Sequence, residues 1–231
     1  MDSIYTDGTY LRNNPAWHAD DSAWKARHVA TMLERHALVP QSVCEIGCGA
    51  GEILRELSTM LPAQTTFTGY DISADAYRMC APKANARIAF RHADLLEEPG
   101  AHFDLALAMD VFEHVEDYFG FLRKLRAKAT CKIFHIPLEL SAQTVFRARP
   151  LIDARRSVGH IHHFSKDTAL ATLQDCGYRV IDHFYTSGRT ELGNLGWKTQ
   201  LMKVPRQALY RVSPDAAARV LGGYSLLVLA E

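Results

Sequence analysis

Along most of the chain, the spacing of the apolar residues alternates between two patterns. Short apolar runs of strand length alternate with segments whose apolar residues recur at helical spacing. The strand-like runs are "SVCEIG", "TTFTGYD", "RIAFRHAD", "FDLALAM", "CKIFHIP", "YRVIDHFYT" and "YSLLVLA". Helical segments separate most of them, although the helix between the third and fourth runs is weak or missing. This pattern predicts an α/β fold, a doubly wound, mostly parallel sheet with helices on both faces.

Three glycines follow the first strand and open a helix. Gly47, Gly49 and Gly51 lack a Cβ, so a ligand could approach the main chain closely here. The dinucleotide fingerprint needs another glycine where this chain has Glu52, and a glutamate would repel a pyrophosphate. The phosphate-loop pattern ending in Gly-Lys-Ser/Thr is also absent from the loop. The glycine loop therefore favours a nucleoside without phosphates.

Two aspartates are expected at the same edge of the sheet. Asp71 ends the second strand, about 20 residues after Gly51, where an acidic side chain accepts hydrogen bonds from ribose hydroxyls. Asp94 follows the third strand, where a carboxylate could accept a hydrogen bond from an exocyclic amine such as that of adenine. Each alone fits an ordinary turn or helix cap. Together with the glycine loop they predict a bound nucleoside.

Four segments in order, "EIGCGAGEIL", "GYDIS", "HADLLEE" and "LAMDVFEHVED", resemble the motifs of class I S-adenosylmethionine-dependent methyltransferases. The final strand, after a late helical segment near 197–220, resembles the family's reversed hairpin. The resemblance implies a Rossmann-like methyltransferase fold with seven strands and the last strand antiparallel. It also implies S-adenosyl-L-methionine as cofactor and S-adenosyl-L-homocysteine as product. The residues it assigns to the cofactor are Glu45, Gly47, Gly49 and Gly51 at the methionine part, Asp71 with the adjacent Ile72 at the ribose, Asp94 and Leu95 at the adenine, and Asp110 and Val111 near the sulfonium.

The resemblance also divides the chain. Residues 1–38 form a polar leader and one amphipathic helix over about 22–36, and related enzymes often fold such leaders over the cofactor as a lid. The alternative is that Trp17 and Trp24 anchor the leader to the core. Residues 39–231 form the methyltransferase domain, with an insertion near 138–163 on the side of the methyl acceptor.

Histidines are the candidate bases on the acceptor side. A hydroxyl acceptor benefits from a base, and histidine has an unperturbed pKa near 6.5. His135 is expected at the end of the fifth strand, on the rim that carries the glycine loop, and "SVGHIHHFS" precedes a helix beside that rim. We predict His135 and His160 as catalytic candidates and His163 as the third. In the "DVFEHVED" motif, His114 is expected to pack or hydrogen-bond locally.

No metal ion is predicted from the sequence. His160 and His162 with a nearby acid could share a divalent ion. The H-x-H-H run, however, lacks the carboxylate cluster of metal-dependent catechol-type methyltransferases. The arginines of "FRARPLIDARR" could grip a carboxylate or phosphate of the acceptor, or they could form a solvated face.

Charge and composition narrow the partners. Lys and Arg together number 26, as do Asp and Glu, so the formal net charge is zero, which argues against a nucleic-acid or anionic-membrane binder. The polar start lacks the pattern of a signal peptide, and no apolar run approaches the length of a membrane span. Five cysteines without a CxxC pair suggest neither a disulfide framework nor a zinc ribbon. A cytoplasmic setting is therefore predicted.

These observations favour a methyltransferase that acts on a small molecule, such as a sugar or another secondary metabolite. Oxygen is favoured over nitrogen as the methylated atom. Two alternatives stay open: an RNA or protein methyltransferase that docks its target through the arginines, and a protein that binds S-adenosylmethionine without turnover. An NAD-linked oxidoreductase is disfavoured by Glu52 at the failed glycine position.

Overall fold

The computed structural model describes residues 8–15, 17, 19–188 and 203–231. All seven predicted strands form, and they make one sheet with the order β3-β2-β1-β4-β5-β7-β6. The strands are β1 (Ser42–Ile46), β2 (Thr66–Asp71), β3 (Ile88–His92), β4 (Phe103–Met109), β5 (Ala129–Leu138), β6 (Val180–Thr186) and β7 (Tyr224–Ala230). The first five strands pair in parallel, whereas β7 is antiparallel to both β5 and β6. The predicted fold, including the reversed last strand, is confirmed.

Helices connect the strands and cover the sheet. They are α1 (Thr9–Asn13), α2 (Ser22–Arg35), α3 (Glu52–Met60), α4 (Ala74–Cys80), α5 (Tyr118–Arg126), α6 (Ala142–Arg147), α7 (Arg149–Ser157), α8 (Lys166–Asp175), α9 (Lys203–Val212) and α10 (Pro214–Leu221). Between β3 and β4 the chain forms only the 3₁₀ turn Leu95–Glu97, as the weak helical pattern indicated. Within the leader, residues 1–7 lie outside the described residues. So does the part of the predicted late helical segment before Lys203.

The helices α6 and α7 were not predicted, and their composition explains why. They are short and bury no residue, so neither carries an apolar stripe that packs on the sheet. Instead, α6 begins with a capping box in which Ser141 and Thr144 satisfy each other's backbone N–H groups. The two helices lie between β5 and α8, within the range of the predicted insertion, whose role on the acceptor side stays a prediction.

Strand β4 shows how the sheet is buried on both faces. Leu105 and Leu107 pack with the apolar residues of α2 and α3 on one face. Ala106 and Ala108 pack with those of α5 and α8 on the other face. Since side chains alternate along a strand, a continuous apolar run fits a strand covered on both sides. Because β1, β2 and β4 are parallel, their carboxyl ends meet at one edge of the sheet, where a ligand has access.

None of the helices in the described part of the chain combines the length and apolar character that a bilayer crossing requires.

Candidate functional site

The glycine loop leaves β1 with its backbone in the left-handed region, with φ of +67° at Gly47, +53° at Gly49 and +77° at Gly51. A Cβ added to Gly49 would lie only 2.5 Å from Cδ1 of Trp17, so the leader covers this part of the main chain directly. Only glycine fits a position with both this φ and so close a neighbour. A lid formed by the leader would make this contact. That the leader acts as a lid stays a prediction.

The side chain of Asp71 ties the end of β2 to the glycine loop. Its Oδ2 accepts a hydrogen bond of 2.8 Å from the backbone N–H of Gly49, and its Oδ1 accepts one of 2.8 Å from that of Ser73. Burial raises the pKa of Asp71, and the two backbone donors oppose that effect. Each carboxylate oxygen has a second lone pair, so Asp71 keeps acceptor capacity for a sugar hydroxyl while it orients the loop.

Glu45 provides a test of whether the cofactor fits. The residue is 1% exposed, and its Oε2 has no hydrogen-bond partner among the described residues. Burial raises the pKa of this carboxyl well above its usual value. A buried carboxylate without a partner is costly, and a cationic group beside it would relieve that cost. The ammonium group of a methionine moiety suits the chemistry of Glu45.

The predicted adenine end is shaped by main chain and exposed side chains. Asp94 caps the 3₁₀ turn, since its Oδ1 accepts a 2.8 Å hydrogen bond from the N–H of Leu96. Ile72 is 53% exposed, which is high for a large apolar side chain and leaves its surface available to a ligand. The side chain of Leu95 is fully buried in the core. A contact of Leu95 with the cofactor would therefore use its backbone.

Asp110 occupies the turn after β4 with a left-handed φ of +57°. Its Oδ1 lies 2.6 Å from Nδ1 of His135, and its Oδ2 lies 2.8 Å from Nζ of Lys25. Burial alone would raise the pKa of this carboxyl, but His135 and Lys25 hold it well below its usual range. Surrounding contacts must stabilise such a backbone conformation in a residue other than glycine. Val111, the next residue, packs against Gly47 at the base of the loop.

His135 is held on both sides of its ring. Besides the contact with Asp110, its Nε2 lies 2.8 Å from Oγ1 of Thr186, and the residue is 3% exposed. Strand β5 continues past His135 to Leu138 because β7 pairs with it there, so His135 does not end the strand. Taking a proton from an acceptor would require His135 to break one of its hydrogen bonds.

His160 and His163 share one carboxylate. Nδ1 of His160 lies 2.9 Å from Oε1 of Glu139, and Nδ1 of His163 lies 2.5 Å from Oε2. Burial opposes ionisation, but the hydrogen bonds with both rings lower the pKa of Glu139 below its usual value. A carboxylate that holds Nδ1 of a histidine fixes its tautomer and leaves Nε2 for chemistry.

A cavity of about 1230 Å³ joins these groups. Every residue assigned to the cofactor except Leu95 lines it, and so do His135 and His160, whereas His163 does not. Residues of the leader and of α6 and α7 also line it. The geometry supports His160 over His135 and His163 as the residue that faces an acceptor. The catalytic role of all three stays a prediction.

The sequence reasoning missed three charged residues of the site: Lys25, Glu113 and Glu139. A lysine on the buried stripe of α2, between Ser22 and Val29, was a usable signal, because lysine is rarely buried without a partner. Glu139 follows His135 closely, but only the fold shows that it contacts His160. Glu113 is fully buried beside the predicted site.

Comparisons with known proteins agree with this architecture. A family model described as a methyltransferase domain matches residues 17–183. Over 87 residues the chain is 41% identical to a ubiquinone biosynthesis O-methyltransferase from Rhodopseudomonas palustris, a match that covers 36% of this chain and 33% of that protein. The chain thus spans about a third of the length of the curated relatives it matches.

Two solved structures show the same fold. A magnesium protoporphyrin IX methyltransferase from Synechocystis PCC 6803 with bound SAH has a TM-score of 0.61 and 18% identity, covering 95% of this chain and 85% of its own. The N-methyltransferase NodS from Bradyrhizobium japonicum with S-adenosyl-L-homocysteine has a TM-score of 0.55 and 16% identity, covering 88% and 85%. At these identities the similarity concerns the fold alone.

Proposed function

We propose that this chain, which belongs to the methyltransferase-domain family, is an S-adenosylmethionine-dependent methyltransferase that methylates a hydroxyl group of a small molecule. S-adenosylmethionine supplies the activated methyl group when it is bound. The protein's own task is to hold the cofactor, align the acceptor oxygen in line with the methyl group and assist the loss of its proton. Glu45, Asp71 and the glycine loop would hold the cofactor.

The single observation that carries the proposal is the extent of the cavity. Pockets for one small ligand usually measure about 300–1,000 Å³, and the volume of about 1230 Å³ here leaves room for an acceptor beside the cofactor. Apolar side chains from the end of β5 and from α7 and its C-cap line the cavity, among them Leu138, Leu151 and Val158. This lining suits a ring or another compact apolar body.

The polar groups at that end favour oxygen over nitrogen. A neutral amine can attack the methyl group unaided, whereas a hydroxyl must lose a proton as it reacts. His160 lines the cavity and is oriented by Glu139, so this pair would bind the acceptor's hydroxyl and promote that loss. The relative from Rhodopseudomonas palustris, whose name specifies an O-methyltransferase, supports the same choice.

The test is a methyltransferase assay that follows S-adenosylhomocysteine production. Small phenols, catechols and sugars are tried as acceptors, and RNA and peptides are tried as alternative acceptors. We expect turnover with hydroxyl-bearing small molecules. His160→Gln should lower kcat by about 100-fold or more while S-adenosylhomocysteine affinity stays within about twofold. His163→Gln should have a smaller effect, because His163 touches Glu139 but does not line the cavity. Turnover with RNA or peptides alone would contradict the proposal.

A further inference from the structure

Three potential ligand groups converge beside the cavity, which His114 and His160 line. A carboxylate oxygen of Glu113 and a ring nitrogen each of His114 and His160 lie within 4.8 Å of one another. Glu113 and His114 belong to the turn after β4, whereas His160 follows α7. These side chains would have to move closer together to reach the bond lengths of about 2.0–2.2 Å that zinc makes to nitrogen and oxygen.

Glu113 is a buried carboxylate that the rest of the site does not explain. It is 0% exposed, and neither of its carboxylate oxygens has a hydrogen-bond partner within the described residues. Buried carboxylates are normally paired with a cation or coordinate a metal. A cation between Glu113 and the two imidazoles would satisfy this group.

The two histidines already have the outer contacts of metal ligands. Nδ1 of His114 lies 3.2 Å from the carbonyl oxygen of Gly159, and Nδ1 of His160 lies 2.9 Å from Oε1 of Glu139. Both partners only accept hydrogen bonds, so each Nδ1 carries the proton and each Nε2 becomes the ligand atom.

We propose that Glu113, His114 and His160 bind one divalent first-row transition ion, with Zn²⁺ as the reference ion and one coordination position open to the cavity. Two imidazoles and one carboxylate form the donor set of zinc sites that keep a position for substrate. The sequence predicted no metal because the H-x-H-H run lacks carboxylates, and the fold supplies Glu113 from another segment. The catalytic part rests on the proposed function: His160 would then assist the acceptor as a metal ligand in place of binding its hydroxyl directly. A hydroxyl oxygen in the open position would have its pKa lowered, so that its proton is lost to solvent before the methyl group is transferred.

The test is titration of the full-length chain, freed of metal with a chelator, with Co²⁺ followed by visible absorption, and then competition with Zn²⁺ in calorimetry. We expect one equivalent to bind, without the sulfur-to-cobalt charge-transfer bands that ligation by any of the five cysteines would produce. Glu113→Gln and His160→Asn should each weaken binding by more than about 100-fold. Glu139→Gln should weaken it by about 10- to 100-fold through His160. The matched control His102→Asn, an exposed histidine outside the cluster, should bind as the wild type does.

Three outcomes would each overturn the proposal. They are a failure to bind one equivalent of metal, the appearance of thiolate bands, and an unchanged metal affinity in both ligand variants. An S-adenosylhomocysteine-induced rise in Tm shows that each variant is folded, and if Glu113→Gln does not fold, His160→Asn decides. Metal binding that responds to the variants, in a chain without O-methyl transfer, would refute the proposed function alone. O-methyl transfer by a chain that binds no metal would refute the metal site alone.

Discussion

The two ends of the cavity are assembled in different ways. At the cofactor end, the groups are the main chain of the glycine loop and Asp71, which is hydrogen-bonded to that loop. At the acceptor end, Glu113, Glu139 and His160 come from three segments that are distant in sequence, and their side chains are brought together by the fold. Short motifs therefore encode the cofactor end, whereas the packing of distant segments creates the acceptor end. Substitutions at the two ends should consequently separate cofactor binding from turnover.

The largest expected effect is at the glycine loop. Gly49→Val places a β-branched residue at φ +53° with its Cβ 2.5 Å from Trp17, so S-adenosylhomocysteine affinity should fall by more than about 100-fold. Calorimetry and the ligand-induced shift in Tm measure this loss. Gly100→Ala is the matched control, because Gly100 is also left-handed at φ +72° but has nothing within 4 Å of an added Cβ. Wild-type affinity in Gly49→Val would show that the loop is not the binding surface.

The ion pair of Lys25 with Asp110 should stabilise the folded chain. Asp110→Asn leaves the buried Lys25 with Asp21 as its remaining carboxylate partner and should lower the free energy of unfolding by about 2 kcal/mol at pH 7. Asp182→Asn, which loses a partly exposed contact with Arg35, should cost less than about 1 kcal/mol. Urea unfolding of the three proteins gives both differences. Equal losses in the two variants would contradict a structural role for the Lys25–Asp110 pair.

The pH dependence of the same variant sharpens this expectation. The pKa of Asp110 is lower in the folded chain than the value of about 3.9 in the unfolded chain. Its stabilising effect is therefore fully present above about pH 5 and declines as the pH falls below about 4. The stability difference between wild type and Asp110→Asn should narrow in that acidic range. A difference that widens on acidification would contradict the assignment.

At the cofactor end, substitution of Asp71 should lower S-adenosylhomocysteine affinity more than substitution of Asp94. Asp71→Asn disturbs a carboxylate that orients Gly49 and should lower S-adenosylhomocysteine affinity by about 10- to 100-fold, as expected for hydrogen bonds to a charged group. Asp94→Asn changes an exposed side chain and should lower it by no more than about threefold. Calorimetric titration of both variants tests the order. The reverse order would show that Asp94, on the adenine side, contributes more to cofactor binding than Asp71 does.

The smallest effect is expected at the leader. Trp17→Ala removes the ring that covers Gly49 and should weaken S-adenosylhomocysteine binding by about 3- to 10-fold, mainly through faster dissociation. Stopped-flow displacement measures the dissociation rate. Phe146→Ala is the control, because Phe146 is an aromatic residue that is 93% exposed on α6. An unchanged rate in Trp17→Ala would favour the alternative in which Trp17 only anchors the leader.

The fold could be predicted because each strand and most helices have a local periodicity, and the glycine loop and Asp71 follow directly from their strands. The hydrogen bonds of His135 could not be predicted, since Thr186 reaches it only through the placement of β7 between β5 and β6. Helices α6 and α7 were missed because they bury no apolar stripe. Glu113 was missed because its neighbours in the sequence do not reveal its burial.

The burial of α2 limits how the leader could move. Ala26 and Val29 are 0% exposed in the core, and Lys25 joins the same helix to Asp110. Any swing that uncovers the glycine loop would therefore pivot near Asp21 and displace only the segment before Ser22. If the predicted lid exists, exchange of spent cofactor would require that short segment alone to move, while the sheet and its covering helices stay in place.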